Sequence, residues 1–121
     1  MGETDLFAFY GSLRKGMSNY KTYQHYLEYV STNRLTGYAM YALTEYPYAV
    51  HSAKLSDSMV IEIYRIKNEA VKEKIYHLEL DAGYIFDQIE IEGKTVGIYL
   101  FREPGNDPKV ISGDWVEFYG I

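Results

Sequence analysis

Residues 7–16 have the sequence Phe7-Ala8-Phe9-Tyr10-Gly11-Ser12-Leu13-Arg14-Lys15-Gly16. The first four residues are apolar or aromatic, which is typical of a short buried strand. Gly11 then allows a sharp turn, because glycine adopts backbone angles that are closed to other residues. Glycine also lets successive backbone N–H groups point in one direction and form a concave nest for an oxygen. The stretch therefore predicts a cradle for an anion or a polarised carbonyl at the end of the first strand.

The spacing of Gly11 and Gly16 also invites comparison with a nucleotide-binding phosphate loop. Such a loop requires lysine and then serine or threonine directly after the second glycine. Here Gly16 is followed by Met17 and Ser18, which disfavours that interpretation. An ordinary turn without a ligand remains open as an alternative.

Length and composition limit the class of protein. We expect residues 1–121 to form a single domain, because a chain of this size buries a sufficient core without disulfides or metals. The absence of cysteine excludes a thiol nucleophile and a thiolate metal site. A net charge of −5 argues against nucleic acid and anionic membranes as partners. With neither a secretory signal nor a run of about 18 apolar residues, we expect a cytoplasmic protein.

Two helices and several strands are predicted from the apolar spacing and the capping residues. Asn19 is expected to cap a helix from Tyr20 to Val30, and Asn68 a helix from Glu69 to Leu80. The strand at 59–66 carries one acid, Glu62, for which we expect a structural hydrogen-bonding role, because burial of an unpaired carboxylate is costly. Further strands are predicted at 34–43, 49–51, 84–92 and 95–101, the last two as a hairpin around Gly93, while the tail at 113–119 is expected to be a strand or a cover.

Glu79 is the candidate acid of the second predicted helix. Val71, Ile75 and Leu78 form the apolar face of this helix, and helical spacing places Glu79 at its margin. A carboxyl group that leans toward the core has a raised pKa, which suits general acid–base catalysis near neutral pH. A glutamate with its carboxylate in water is the open alternative. The other charged residues of the helix, including Lys72, are expected to be solvated.

Several motifs resemble those of a known family. Tyr10-Gly11-Ser12-Leu13-Arg14 is similar to the Y-G-[ST]-L-[RK] opening of the gamma-glutamylcyclotransferase-like family, which includes the gamma-glutamylamine cyclotransferases and the plant avirulence-induced-gene-like proteins. The other similarities follow in the family's order along almost the whole chain. They are residues 37–41 with Tyr46-Pro47, residues 60–64, Leu78-Glu79 with Gly83-Tyr84, and Gly113-Asp114-Trp115.

This resemblance implies a fold and a set of site residues. The fold would be α+β, a small mixed β-barrel with flanking helices and a polar pocket at one end. Tyr10, Gly11, Ser12 and Leu13 would form the substrate cradle, Glu79 would be the general acid/base, and Tyr84 would be a pocket wall or hydroxyl partner. Asp81 is the alternative carboxylate, because Leu80-Asp81 replaces the family's usual glycine-containing continuation. Arg14 and Lys15 would either steer a substrate carboxylate or be solvated loop charges.

The resemblance also implies a reaction. The α-amine of a gamma-glutamyl compound would attack its own γ-carbonyl, forming 5-oxoproline and releasing an amine or amino acid, with no metal or other cofactor. The alternative hypothesis is a non-catalytic module that keeps the pocket for a small acidic ligand. A less favoured third is an interaction domain that uses a tyrosine-rich surface. The sequence predicts neither the leaving group nor the oligomeric state.

Overall fold

The computed structural model describes residues 4–43 and 45–119, and its main element is a five-stranded sheet. The strands are β1 (Leu6–Phe9), β2 (Glu28–Thr36), β5 (Ser58–Arg65), β6 (Ile85–Ile91) and β7 (Lys94–Leu100). Their order in the sheet is β2-β5-β1-β7-β6, with β1 antiparallel to β5 and parallel to β7. β2 and β6 are the outer strands, each paired antiparallel with its single neighbour.

A separate pair of antiparallel strands and three helices complete the described part of the chain. The pair consists of β3 (Tyr38–Ala42) and β4 (Pro47–His51). The helices are α1 (Ser18–Tyr23), α2 (Glu69–Asp81) and α3 (Trp115–Tyr119), and a 3₁₀ turn at Gln24–Tyr26 follows α1. None of the described helices is long and apolar enough to cross a membrane.

The central strand β1 is buried on both faces, as its apolar sequence predicts. Successive side chains of a strand point to opposite faces, so Ala8 and Tyr10 belong to one core cluster while Phe7 and Phe9 belong to another. The second cluster includes Val71 and Ile75 from α2, which covers that face of the sheet. The C-terminal end of β1 therefore lies between these two core clusters.

The predicted α+β class is confirmed, but the sheet is not closed into a barrel. At Gly37 the backbone has φ 82°, and the chain there leaves the large sheet to form β3 and β4 as a separate pair. That pair packs beside β5 instead of bridging β2 to β6. The local sequence predicts the strands but not which distant strands pair with each other.

The second predicted helix is confirmed at both ends. Asn68 is its N-cap and accepts a hydrogen bond from the Val71 backbone N–H. One prediction on this helix is wrong, because Lys72 is buried and forms ion pairs with Asp5 and Glu69. Asp5 lies 67 residues away in sequence, so helical spacing gives no sign of this pair.

The first predicted helix is too long, and of the two structures expected for the tail, a strand or a cover, the strand is wrong. Residues 28–36 form β2, which pairs with β5. Of the predicted helix, only the short helix α1 and the 3₁₀ turn therefore remain ahead of this strand. The Asn19 side chain does not cap a helix, because its amide donates to Ser12 Oγ. Trp115–Tyr119 is a helix instead of a strand; Asp114 precedes it and accepts a hydrogen bond from the Glu117 backbone N–H.

Candidate active site

The loop after β1 consists of two consecutive turns. The Arg14 N–H donates to the Gly11 carbonyl at 2.9 Å, and the Met17 N–H donates to the Arg14 carbonyl at 3.0 Å. The left-handed backbone predicted for Gly11 occurs instead at Gly16, where φ is 91°. Gly11 is needed for another reason, since an added Cβ would lie 2.7 Å from Cδ of the Pro47 ring.

Ser12 is held in place by α1, and the backbone around it keeps free donors. Its carbonyl accepts from the Tyr20 N–H at 3.0 Å, and its Oγ accepts from the Asn19 amide at 2.8 Å. The backbone N–H groups of Gly11, Ser12 and Leu13 donate to no acceptor within residues 4–43 and 45–119. Three consecutive N–H groups are thus available for an oxygen of a ligand.

The C-terminus of α2 brings Glu79 and Tyr84 together. The Gly83 N–H donates to the Leu80 carbonyl at 3.0 Å, and the Tyr84 N–H donates to the Glu79 carbonyl at 3.1 Å. This pattern is a Schellman motif, and Gly83 has the positive φ, 100°, that the motif requires. The signal that ends the helix therefore also fixes Tyr84 beside Glu79.

The six predicted site residues, Tyr10–Leu13, Glu79 and Tyr84, line one cavity of about 360 Å³. This volume lies within the usual range of small-molecule sites. The alternative carboxylate, Asp81, is exposed and is not part of the lining. The structure brings these residues together without assigning them roles in a reaction.

Glu79 is a half-buried acid in this cavity. Burial raises the pKa of its carboxyl group to about 7, because loss of water disfavours the charged form. Among the described residues no basic side chain lies within 4.0 Å of this carboxyl group, and none donates a hydrogen bond to it. The group is therefore able both to accept and to donate a proton near neutral pH.

Tyrosines form much of the wall around Glu79. The Tyr10 hydroxyl donates to the Tyr99 carbonyl at 2.6 Å and accepts from the Ala49 N–H at 3.1 Å. The Tyr84 hydroxyl donates to the Pro47 carbonyl. Both hydroxyls are therefore engaged by the protein, and Tyr84 lies in the wall of the cavity.

Tyr99 is a cavity residue that sequence reasoning did not find. Burial raises the pKa of its hydroxyl, and the negative charge of Glu79 raises it further. The same two causes raise the pKa of Tyr84. All three tyrosines, including Tyr10, therefore remain neutral beside the acid. Tyr99 lies in an ordinary apolar strand segment, and no local signal distinguishes it.

Arg14 is neither a solvated loop charge nor a ligand-steering group, contrary to both predictions. It is buried, with Nε 2.9 Å from Glu62 Oε2 and Nη1 2.8 Å from Asp114 Oδ1. Glu62 also accepts from the Lys15 N–H and from the Tyr64 hydroxyl, which confirms its predicted structural role. This network ties the loop after β1 to β5 and to the start of α3.

The fold and the cavity define a small α+β protein in which a half-buried acid, Glu79, lines the same cavity as Gly11, Ser12 and Leu13, whose backbone N–H groups have no acceptor among the described residues. Residues 7–117 match the family model described as "Gamma-glutamyl cyclotransferase, AIG2-like", and the chain belongs to this family. No curated protein matches the chain significantly in sequence.

Solved structures with the same fold include three small proteins. c4763, a uropathogenic E. coli-specific protein, has TM-score 0.81 and 19% identity over 98% of both chains. The uncharacterised protein PH0828 from Pyrococcus horikoshii has TM-score 0.79 and 22% identity, over 95% of this chain and 92% of its own. Protein YtfP from Escherichia coli has TM-score 0.71 and 24% identity, over 93% and 97%. At these identities the likeness establishes the fold.

Proposed function

We propose that this protein is a gamma-glutamyl cyclotransferase, which releases 5-oxoproline and a free amine from a gamma-glutamyl compound. The observation that carries the proposal is the position of Glu79. Its carboxyl group has a pKa of about 7 and lies in the cavity that is also lined by Gly11, Ser12 and Leu13. Family membership supports the same class of reaction.

In the first step, the Glu79 carboxylate takes a proton from the α-ammonium group of the substrate. The resulting amine attacks the γ-carbonyl carbon of the same molecule, so that a C–N bond closes a five-membered ring. Because both reacting groups belong to one molecule, the main task of the protein is to hold the substrate folded. Such positioning is worth about 7–11 kcal/mol.

In the second step, the bond between the γ-carbon and the leaving nitrogen breaks. The proton held by Glu79 moves to this nitrogen, and the amine leaves. The regenerated carboxylate then takes the second proton of the former ammonium group from the ring nitrogen and passes it to the released amine, which departs as an ammonium ion. The free N–H groups of Gly11, Ser12 and Leu13 would stabilise the oxyanion between the two steps, at about 10²–10³ in rate per donor. Ser12 is held by Asn19 and Tyr20, so this cradle is formed before the substrate binds.

The test is mass spectrometry of 5-oxoproline after incubation of the protein with a library of gamma-glutamyl amides. We expect product from the wild type and a loss of about 10²–10⁴ in turnover for Glu79→Gln, because the amide carries no transferable proton. Asp81→Asn is the matched control. It removes an acid two residues away that is exposed and outside the cavity.

Two results would contradict the proposal. Unchanged turnover in Glu79→Gln would remove this residue from the mechanism. Binding of gamma-glutamyl compounds, detected as a thermal shift, with no product from any library member would support the non-catalytic module instead. The corresponding α-glutamyl amides serve as substrate controls, because in them the amine that would leave is not attached to the γ-carbonyl.

A further inference from the structure

The side chain of Ser12 lies where the loop after β1 contacts helix α1. Its Oγ accepts a hydrogen bond from the Asn19 side-chain amide at 2.8 Å, and its carbonyl accepts from the Tyr20 backbone N–H at 3.0 Å. Ser12 and Asn19 are both half-buried, and both line the cavity that contains Glu79. Among the described residues, Asn19 alone forms a hydrogen bond with the Ser12 hydroxyl group.

The direction of this hydrogen bond decides what the Ser12 hydroxyl offers to a ligand. A serine hydroxyl has one hydrogen to donate, and its lone pairs accept. Because the Asn19 amide donates to Oγ, this contact does not use the hydroxyl hydrogen. In the part of the chain that the structure describes, the hydroxyl donates to no protein acceptor. Its hydrogen is therefore available to an oxygen of a ligand in the cavity.

Two other hydroxyls of the cavity have the opposite arrangement. The Tyr10 hydroxyl donates to the Tyr99 carbonyl, and the Tyr84 hydroxyl donates to the Pro47 carbonyl. Each of these tyrosines uses its one hydroxyl hydrogen within the protein, so neither donates to a ligand oxygen. Ser12 keeps its hydrogen, and the same residue carries one of the free backbone N–H groups. Its hydroxyl is therefore positioned to add a donor to the cradle.

We propose that Asn19 is a positioning residue, which directs the Ser12 hydroxyl hydrogen to the oxyanion as a fourth donor beside the N–H groups of Gly11–Leu13. This inference rests on the proposed function. The oxyanion forms at the γ-carbonyl oxygen, and each preorganised donor at such an oxygen contributes about 10²–10³ in rate. Because the Asn19 amide already contacts Oγ, the hydroxyl needs no reorientation as the charge develops.

Two substitutions of Asn19 separate this role from a structural one. Asn19→Asp reverses the contact at nearly unchanged shape, because a carboxylate accepts only and the Ser12 hydroxyl then donates to it. The hydroxyl hydrogen is thereby withdrawn from the cavity. Asn19→Ala removes the contact but leaves the hydroxyl free to rotate toward the ligand. The inference therefore predicts a larger loss of activity in the isosteric variant than in the truncated one, whereas a structural role predicts the reverse.

The experiment is a double-mutant cycle on 5-oxoproline release from a gamma-glutamyl amide that the wild type turns over. Values of kcat and KM are measured at pH 8 for Asn19→Asp, Asn19→Ala, Ser12→Ala and the double variant Ser12→Ala/Asn19→Asp. We expect kcat to fall about 10²-fold in both Ser12→Ala and Asn19→Asp, with a smaller change in KM, because the donor acts on the oxyanion. The double variant should lose no more than either single variant, because both substitutions remove the same donor.

Ser18→Asp is the matched control for the added negative charge. Ser18 precedes Asn19 in α1, its side chain is exposed, and it donates no hydrogen bond to Ser12. The inference predicts a smaller loss of kcat in Ser18→Asp than in Asn19→Asp. If the charge itself lowers the rate, the two losses will be similar, and Asn19→Asp will keep its effect in the Ser12→Ala background.

Several results would overturn the inference while the cyclotransferase activity stands. They are additive losses in the double variant, a greater loss in Asn19→Ala than in Asn19→Asp, and a loss confined to KM, which would assign the donor to another oxygen of the substrate. Full activity in Asn19→Asp would also overturn it, since the Ser12 hydroxyl would then already donate to residue 19.

A different result would contradict the proposed function itself. If the wild type releases no 5-oxoproline from any gamma-glutamyl amide, the cyclotransferase assignment fails. The same cycle is then measured with dissociation constants of 5-oxoproline, whose ring carbonyl stands for the γ-carbonyl. Equal and non-additive losses of affinity would support the role of Asn19 in directing the Ser12 hydroxyl, whereas additive losses or no binding would overturn it.

Discussion

At the residue scale, Gly11 shows how one missing side chain shapes the cavity. A Cβ at this position would lie 2.7 and 2.8 Å from two carbons of the Pro47 ring. The carbonyl of Pro47 in turn accepts the hydrogen bond from Tyr84. The loop that provides the N–H groups, the Pro47 segment and the wall beside Glu79 therefore fit together only around a glycine.

Gly11→Ala is predicted to reduce 5-oxoproline release much more than it reduces stability. The ring of Pro47 has to move away from the new methyl group, and displacement of positioned groups by about 1 Å costs about 10²-fold in rate. The measurement is kcat/KM together with the free energy of unfolding in urea.

Gly16→Ala is the matched control for this steric effect. Its added Cβ meets nothing within 4 Å, but φ is 91°, so it should destabilise the fold by about 1–2 kcal/mol. Equal losses of activity in the two variants would show that the contact with Pro47 is not what matters.

At the element scale, α2 was predictable from local sequence while α1 was not. Asn68 and Gly83 mark the two ends of α2 with strong capping signals, and the resulting Schellman motif accounts for the placement of Glu79 and Tyr84. Residues 28–30 look compatible with a helix, yet Glu28 and Tyr29 pair with Arg65 and Tyr64 of β5, far along the chain. Tertiary pairing of this kind overrides weak helical propensity.

The Arg14 network joins three elements, and its loss should be costly. Arg14→Met leaves the buried Glu62 carboxylate without its cation, which typically costs about 3–5 kcal/mol. We therefore expect the free energy of unfolding in urea to fall by this amount. Arg65→Met is the control, because its pair with Glu28 spans 4.0 Å and is largely exposed, so that the loss should be below about 1 kcal/mol.

A second variant tests whether the uncompensated charge is the cause. Addition of Glu62→Gln to Arg14→Met removes the negative charge and should restore part of the lost stability. If Glu62→Gln lowers the stability of Arg14→Met further instead of restoring part of it, the stability lost in Arg14→Met comes from packing and not from the uncompensated charge.

At the scale of the whole molecule, the sequence predicts the individual strands and the fold class better than the contacts between distant segments. The buried central strand, the hairpin of β6 and β7 and the α+β class follow from apolar patterns that each lie within about 20 residues. The open edge at β2 and the short helix α3 depend on contacts between distant segments. Arg14 and Asp114 illustrate this, because their ion pair joins residues 100 positions apart. The cavity residues that belong to a sequence motif were predictable. Tyr99 belongs to no such motif and was not predicted.

The candidate acid also affects the stability of the entire domain. The pKa of Glu79 is raised from 4.5 to about 7 in the folded state, so the folded protein binds more protons than the unfolded chain between these pH values. The free energy of unfolding from this group is therefore highest below pH 4.5 and is lost as the pH rises through 7. The full shift corresponds to at most about 3 kcal/mol.

Glu79→Gln has no ionisable group, so it should be more stable than the wild type at pH 8, and this difference should shrink to nearly zero at pH 4.5. Urea unfolding at both pH values measures the effect, with Asp81→Asn, which removes an exposed acid outside the cavity, as the control variant. A variant that is equally stable at pH 8 would mean that the Glu79 carboxylate is well solvated, which would deprive the proposed proton transfer of its physical basis.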